Sequence, residues 1–368
     1  MATKSRGESV WHRVRTLFWN ATEGRLRALW RVLGALAGVL GLGSAGALAV
    51  GRSLPSQYLG SLAAQVVYAG VAAVLLVALA RYIDRRPLAA YGLRLDRTWG
   101  RDLAVGVAIG VVGWGGALAT SLLFGWASVE RLLSAGTVGF PLAVGLAIGV
   151  AQYALVGFWE EVVFRGVVLR NAVEGLGWLP RRRALAGGLG LSSLLFGVLH
   201  ADQAGSPLAL SFWVLAGLVM GLAYVWTDSL ALPISLHAAF DVSVNHVWGL
   251  FAVRVGELPF EPPTLVRPAF TGPESLVAVA GPINIGWLLV IGVGRSGRST
   301  RGHNGESVRV RPTASPEWRP DGRITHSERS RHPRTRGLSS GRRSSHPSPV
   351  VSPGREQRDT TPRTRCRR

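Results

Sequence analysis

Cysteine is almost absent from this chain of 368 residues: Cys366 is the only one, so no intrachain disulfide can form. Two arginines follow Cys366, where a prenylation box needs three residues, so no lipid anchor of that type is expected at this cysteine. Lysine is nearly as scarce, with Lys4 alone among 41 basic residues, and acids number only 21, which leaves a net charge of +20. So much charge would be hard to reconcile with 48% hydrophobic residues unless the two were segregated along the chain.

They are segregated. From about residue 30 to 294 the sequence runs through apolar stretches rich in Ala, Leu, Val and Gly, several near the ~20 residues that a membrane-spanning helix needs. The pattern predicts an all-α polytopic membrane bundle of about eight transmembrane helices, at 31–51, 59–81, 103–125, 140–173, 184–203, 208–227, 230–250 and 275–294. Arginines gather before the first span, between 81 and 101, at 181–183 and after the last span. The excess of positive charge on these alternate loops predicts an integral protein of the cell membrane with both termini cytoplasmic. Small residues four apart, as at Gly106 and Gly110 or Gly145 and Gly149, predict close helix packing in lipid.

Two segments flank the bundle expected at 31–294. Within residues 1–30, Val10, Trp11, Val14, Leu17, Phe18 and Trp19 alternate with His12, Arg13, Arg15, Arg25 and Arg27, the pattern of a basic amphipathic helix on the membrane surface. A cleavable signal peptide would carry its apolar core nearer Met1. Residues 295–368 are rich in Arg, Ser, Pro and Gly without aliphatic clusters, so they bury too little apolar surface to offset the entropy of ordering. This Arg-rich tail is expected to be disordered and attracted to anionic head groups of the lipid bilayer; no aromatic-interleaved motif points to a specific nucleic acid partner.

Carboxylates are rare inside the apolar stretches, which gives weight to Glu160 and Glu161 in Phe158-Trp159-Glu160-Glu161-Val162-Val163-Phe164-Arg165. A charge near the middle of a bilayer costs several kcal/mol and is kept for pairing, ion passage or chemistry. Residues four apart share a helix face, so Arg165 is expected to neutralise Glu161 and leave Glu160, about 100° round the helix, free to take a proton. The next span ends with Phe196 and His200 at the same spacing, and the seventh carries His237, Asp241 and Asn245 one turn apart. Two glutamates, two histidines and an aspartate on three apolar helices are a costly way to make structural hydrogen bonds, each worth only ~1 kcal/mol in membranes.

Glu-Glu-x-x-x-Arg, then Phe-x-x-x-His, then His-x-x-x-Asn/Asp on successive helices resembles the CAAX protease and bacteriocin-processing (CPBP, or Abi) intramembrane proteases. The resemblance covers about 142–248, a catalytic core of about 140–250, and extends to Arg86-Pro87-Leu88-Ala89-Ala90-Tyr91-Gly92-Leu93. It implies an intramembrane endopeptidase in which Glu160 activates water with Glu161 in support, His200 holds the water or a metal, and His237 and Asp241 polarise the scissile carbonyl. Many relatives carry asparagine where this chain has Asp241. A carboxylate donates to an oxyanion only when protonated, so orienting His237 or binding a metal are the alternatives. The cofactor is either none or zinc held by His200 and His237; the His-Glu-x-x-His spacing that marks many zinc proteases is absent.

The implied partner is a membrane-associated peptide or protein substrate. A proton-coupled transporter could use the same ionisable groups but is expected to show paired broken helices, which the sequence lacks. A catalytically silent scaffold or immunity protein of the same fold would not need every motif position. Along straight spans Glu160 falls near the cytoplasmic end of its helix and His200 toward the outer end of the next, a conflict unless the helix carrying Glu160 is long or tilted.

Overall fold

The computed structural model describes residues 3–201, 207–250, 260–277 and 281–293. The Arg-rich tail and Cys366 lie outside the described residues. Helix α1, Thr3–Phe18, is followed by a two-residue ribbon, β1 (Trp19–Asn20) with β2 (Arg25–Leu26). Among the described residues, six longer helices and two of 12 residues then form the bundle. They are α2 (Ala28–Ser53), α3 (Gln57–Ile83), α4 (Arg97–Leu123), α5 (Leu142–Gly175), α6 (Arg181–Val198), α7 (Pro207–Thr227), α8 (Ala231–Val242) and α9 (Pro282–Val293).

Local chemistry sets the helix boundaries. Leu54 takes the extended conformation that a following proline favours, which stops α2 before Pro55. Ser56 and Asp96 cap α3 and α4 by accepting from the backbone N–H groups of Leu59 and Trp99. Pro141 and Pro180 precede the first turns of α5 and α6, and Pro207 and Pro282 begin α7 and α9, where the missing N–H costs nothing.

The helical membrane bundle matches the expectation, with two differences. Among the described residues six helices are long and apolar enough to cross a membrane, where about eight were expected: α2, α3, α4, α5, α7 and the segment that contains α9. The other two expected spans form α6, which opens on three arginines, and α8, which gives way after Val242 to a π-helical turn at Ser243–Val247. Helix α8 is enclosed by protein, with ten of its twelve residues buried, so it meets neighbouring helices where an outer span meets lipid. Gly110 of α4 and Gly157 of α5 let it be enclosed: a Cβ at either would come within 2.6 Å of Ala239 Cβ or 2.7 Å of Ile234 O.

The second difference is strand. β3 (Ala127–Ser134), between α4 and α5, pairs antiparallel with β4 (Thr264–Phe270), from Ala127 opposite Phe270 to Ser134 opposite Thr264, with a bulge between Val129 and Arg131. The opposite end of the bundle holds the segment 84–93, with a 3₁₀ turn at Leu88–Tyr91. Gly92 O there accepts from Leu230 N, which ties the segment to the α7–α8 turn.

Candidate active site

Helix α5 is 34 residues long, about 50 Å at ~1.5 Å per residue, far more than the ~30 Å of a bilayer core. Glu160 therefore sits near its middle. Helix α6 stops at Val198, so His200 lies in the turn just beyond it and meets α5 at that depth. Length on one helix and brevity on the other resolve the conflict posed by straight spans: His200 Nε2 is 3.7 Å from Glu160 Oε2.

Just past the glutamates α5 loosens into a π-helical stretch, Val162–Leu169, a departure often found at functional positions. Within it Arg165 reaches back, Nη1 donating to Glu161 Oε1 at 2.8 Å while Nη2 donates to Gly217 O of α7 at 2.7 Å. Glu161 and Arg165 are fully enclosed. The same Glu161 Oε1 receives His237 Nδ1 of α8 at 2.8 Å, so one carboxylate oxygen holds both a guanidinium and an imidazole. With Nδ1–H committed to Glu161, the neutral form of His237 presents a lone pair at Nε2, 4.0 Å from Glu160 Oε2 and 3.7 Å from Asp241 Oδ2.

His200 is held by the same device. Its Nδ1 faces Phe196 O at 2.8 Å, and its ring lies between Phe196, with centroids 4.4 Å apart, and Trp213 of α7, at 4.6 Å and nearly parallel. Phe196 also carries the Arg165 guanidinium over its face at 4.8 Å, so a single ring supports a histidine and the buried cation. Ser192 of α6 donates to Phe164 O, which pins the two helices together beside the site.

The structure thus brings together Glu160, Glu161, Arg165, Phe196, His200, His237 and Asp241. Asn245, placed on the same face by spacing, donates its Nδ2 to the backbone carbonyl of Asp241, not to its carboxylate. Trp213 was missed because α7 offers no ionisable residue, and Gly217 because its part is played by a carbonyl. Glu160 Oε2, with the Nε2 atoms of His200 and His237, makes three acceptors around one point with no donor from the described residues. Their separations are too long for direct hydrogen bonds but suit a shared water, which has two protons to give.

The donor set is chemically of the kind zinc takes, yet among the described residues no group of three or more His, Cys, Asp or Glu is arranged to hold a metal ion. As placed, His200 and His237 do not form such a centre with a third ligand among the described residues.

Residues 141–243 match the family model described as type II CAAX prenyl endopeptidase, Rce1-like. The match takes in Glu160 through Asp241 and supports the CAAX/CPBP resemblance carried by the motifs. No curated protein and no solved structure matches the chain.

Proposed function

We propose that this integral membrane protein is an intramembrane endopeptidase that hydrolyses a peptide bond in a membrane-delivered substrate, with Glu160 as the general base. The observation that carries the reading is the buried Glu160 oxygen facing two imidazole nitrogens deep in the bundle, beside a glutamate already neutralised by Arg165. Glu160 takes a proton from water as the oxygen bonds to the scissile carbonyl carbon, and the carbonyl electrons move onto its oxygen. That proton then passes to the leaving nitrogen as the C–N bond breaks. His200 and His237 accept from the water through Nε2 and so orient it for the attack. Asp241, whose Oδ2 lies 3.7 Å from His237 Nε2, serves to orient that imidazole.

The arginine-rich loops favour an orientation with both termini cytoplasmic. Cys366, the only cysteine, can report this by its access to a membrane-impermeant maleimide. The Arg, Gly and Ala bias suggests a GC-rich prokaryotic genome, so the substrate need not carry a prenyl group. The reading is tested by comparing membrane proteomes of cells with the wild-type protein and with Glu160→Ala. An uncleaved precursor should accumulate with the variant, and identical proteomes would count against the assignment.

A further inference from the structure

Where α1 and the β1–β2 ribbon meet the starts and ends of the bundle helices, a crevice of about 280 Å³ opens, lined by Asn20, Glu23, Arg27, Leu29, Arg31 and Glu174. Its chemistry differs from that of the active site. Glu23 is paired with Arg25, and Glu174 with Arg25, Arg31 and Arg86, so both lining acids are already neutralised. Including Asp84, which binds Arg25 and Arg31, and Arg170, which pairs with Glu174, five guanidiniums (Arg25, Arg27, Arg31, Arg86, Arg170) stand against three carboxylates. Five minus three leaves two positive charges.

Two arginines have donors left over in the crevice itself. Arg31 is buried, its side chain 2% exposed, and its Nε has no hydrogen-bond partner among the described residues. Arg27 uses Nε to hold Thr16 O at 2.6 Å, which leaves its two terminal nitrogens without a partner among the described residues. Beside the crevice the surface turns apolar: Leu29, Leu33 and Leu40 are exposed along one stripe of α2, and Trp11 and Leu17 are exposed on α1. A charged crevice at the mouth of an apolar stripe, where spans begin, suits a ligand with a phosphate at one end and hydrocarbon at the other.

We propose that this crevice binds the phosphate of an anionic phospholipid, with its acyl chains along the α2 stripe. Bound there, the lipid would tie α1 and the β1–β2 ribbon to the end of α5, the helix that carries Glu160.

The test uses the full chain, purified and stripped of lipid, with native mass spectrometry and thermal unfolding as readouts. The probes are phosphatidylglycerol, phosphatidylcholine and inorganic phosphate. One phosphatidylglycerol should be retained per chain and raise the unfolding temperature, with phosphatidylcholine weaker. Arg27→Gln should weaken retention at least about fivefold, the worth of one arginine at an anionic surface. Arg27→Lys should keep most of it; both variants lose the guanidinium contact to Thr16, so the pair separates charge from that contact. Arg97→Gln, which removes an exposed charge at the same end of the bundle, should leave retention unchanged. Equal retention by wild type and Arg27→Gln, or equal loss with Arg97→Gln, would overturn the proposal in favour of diffuse attraction. Full protection by inorganic phosphate alone would overturn the lipid assignment.

Discussion

One helix, α5, carries two buried polar clusters, and they are built on opposite principles. Near its end, Glu174 and the neighbouring Asp84 share Arg25 and Arg31, Arg86 pairs with Glu174 and Tyr91 donates to Asp84, so each acid meets several donors. Near its middle, Glu160, Glu161 and Asp241 share one cation, Arg165, and two imidazoles. The first arrangement joins the N-terminal segment, the 84–93 segment and α5; the second leaves an acceptor unmet where a reactant can enter. Acids with surplus donors hold parts together, whereas an acid with a deficit is poised for chemistry.

The sharpest test of this contrast is Glu161→Gln, because Glu161 belongs to both worlds. It should cost about 3–5 kcal/mol of stability by stranding the buried Arg165, and abolish proteolysis by releasing His237. Unfolding in detergent and a cleavage assay would read the two effects; retained stability would break the division. Glu160→Gln should lower turnover by about 100-fold or more and leave stability unchanged, since an amide keeps the shape but takes no proton.

Asp84→Asn should do the reverse, destabilising by about 3–5 kcal/mol while turnover per folded molecule is kept. Burial pushes the Asp84 carboxyl up, but the Tyr91 hydrogen bond and the charges of Arg31 and Arg25 outweigh it, so its pKa lies below the ordinary value. Its stabilisation is therefore complete above the unfolded pKa of about 4 and is lost as pH falls through the lower folded value. The variant should flatten that acid limb of the unfolding curve; an unchanged limb would place the acid sensitivity elsewhere. The smallest effect is expected for Asp241→Asn, which stays within about fivefold of wild-type turnover, a loss of ~1 kcal/mol, because an amide of the same shape still orients His237 from 3.7 Å away. A complete loss that added zinc restores would make Asp241 a metal ligand.

Much of the geometry of the candidate site was legible because helices turn local spacing into contacts. The Glu161–Arg165 pair and the Phe196–His200 stack follow from residues four apart, and the family match covers the same stretch. The β3–β4 pairing was not legible, since its strands lie more than a hundred residues apart and neither alternates strictly. Nor was the cluster at the end of α5, whose members come from three separate segments and read singly as ordinary charges.

By itself the sequence determined a membrane-embedded helical bundle and the residue types of the polar cluster within it, because hydropathy and helical periodicity are properties of short windows. Only the tertiary structure decided that Glu161 Oε1 clamps His237 as well as Arg165, that Trp213 braces His200, and that a long α5 beside a short α6 brings Glu160 and His200 to one depth. Those facts depend on where helices end and on which faces meet, and packing across the whole bundle sets both.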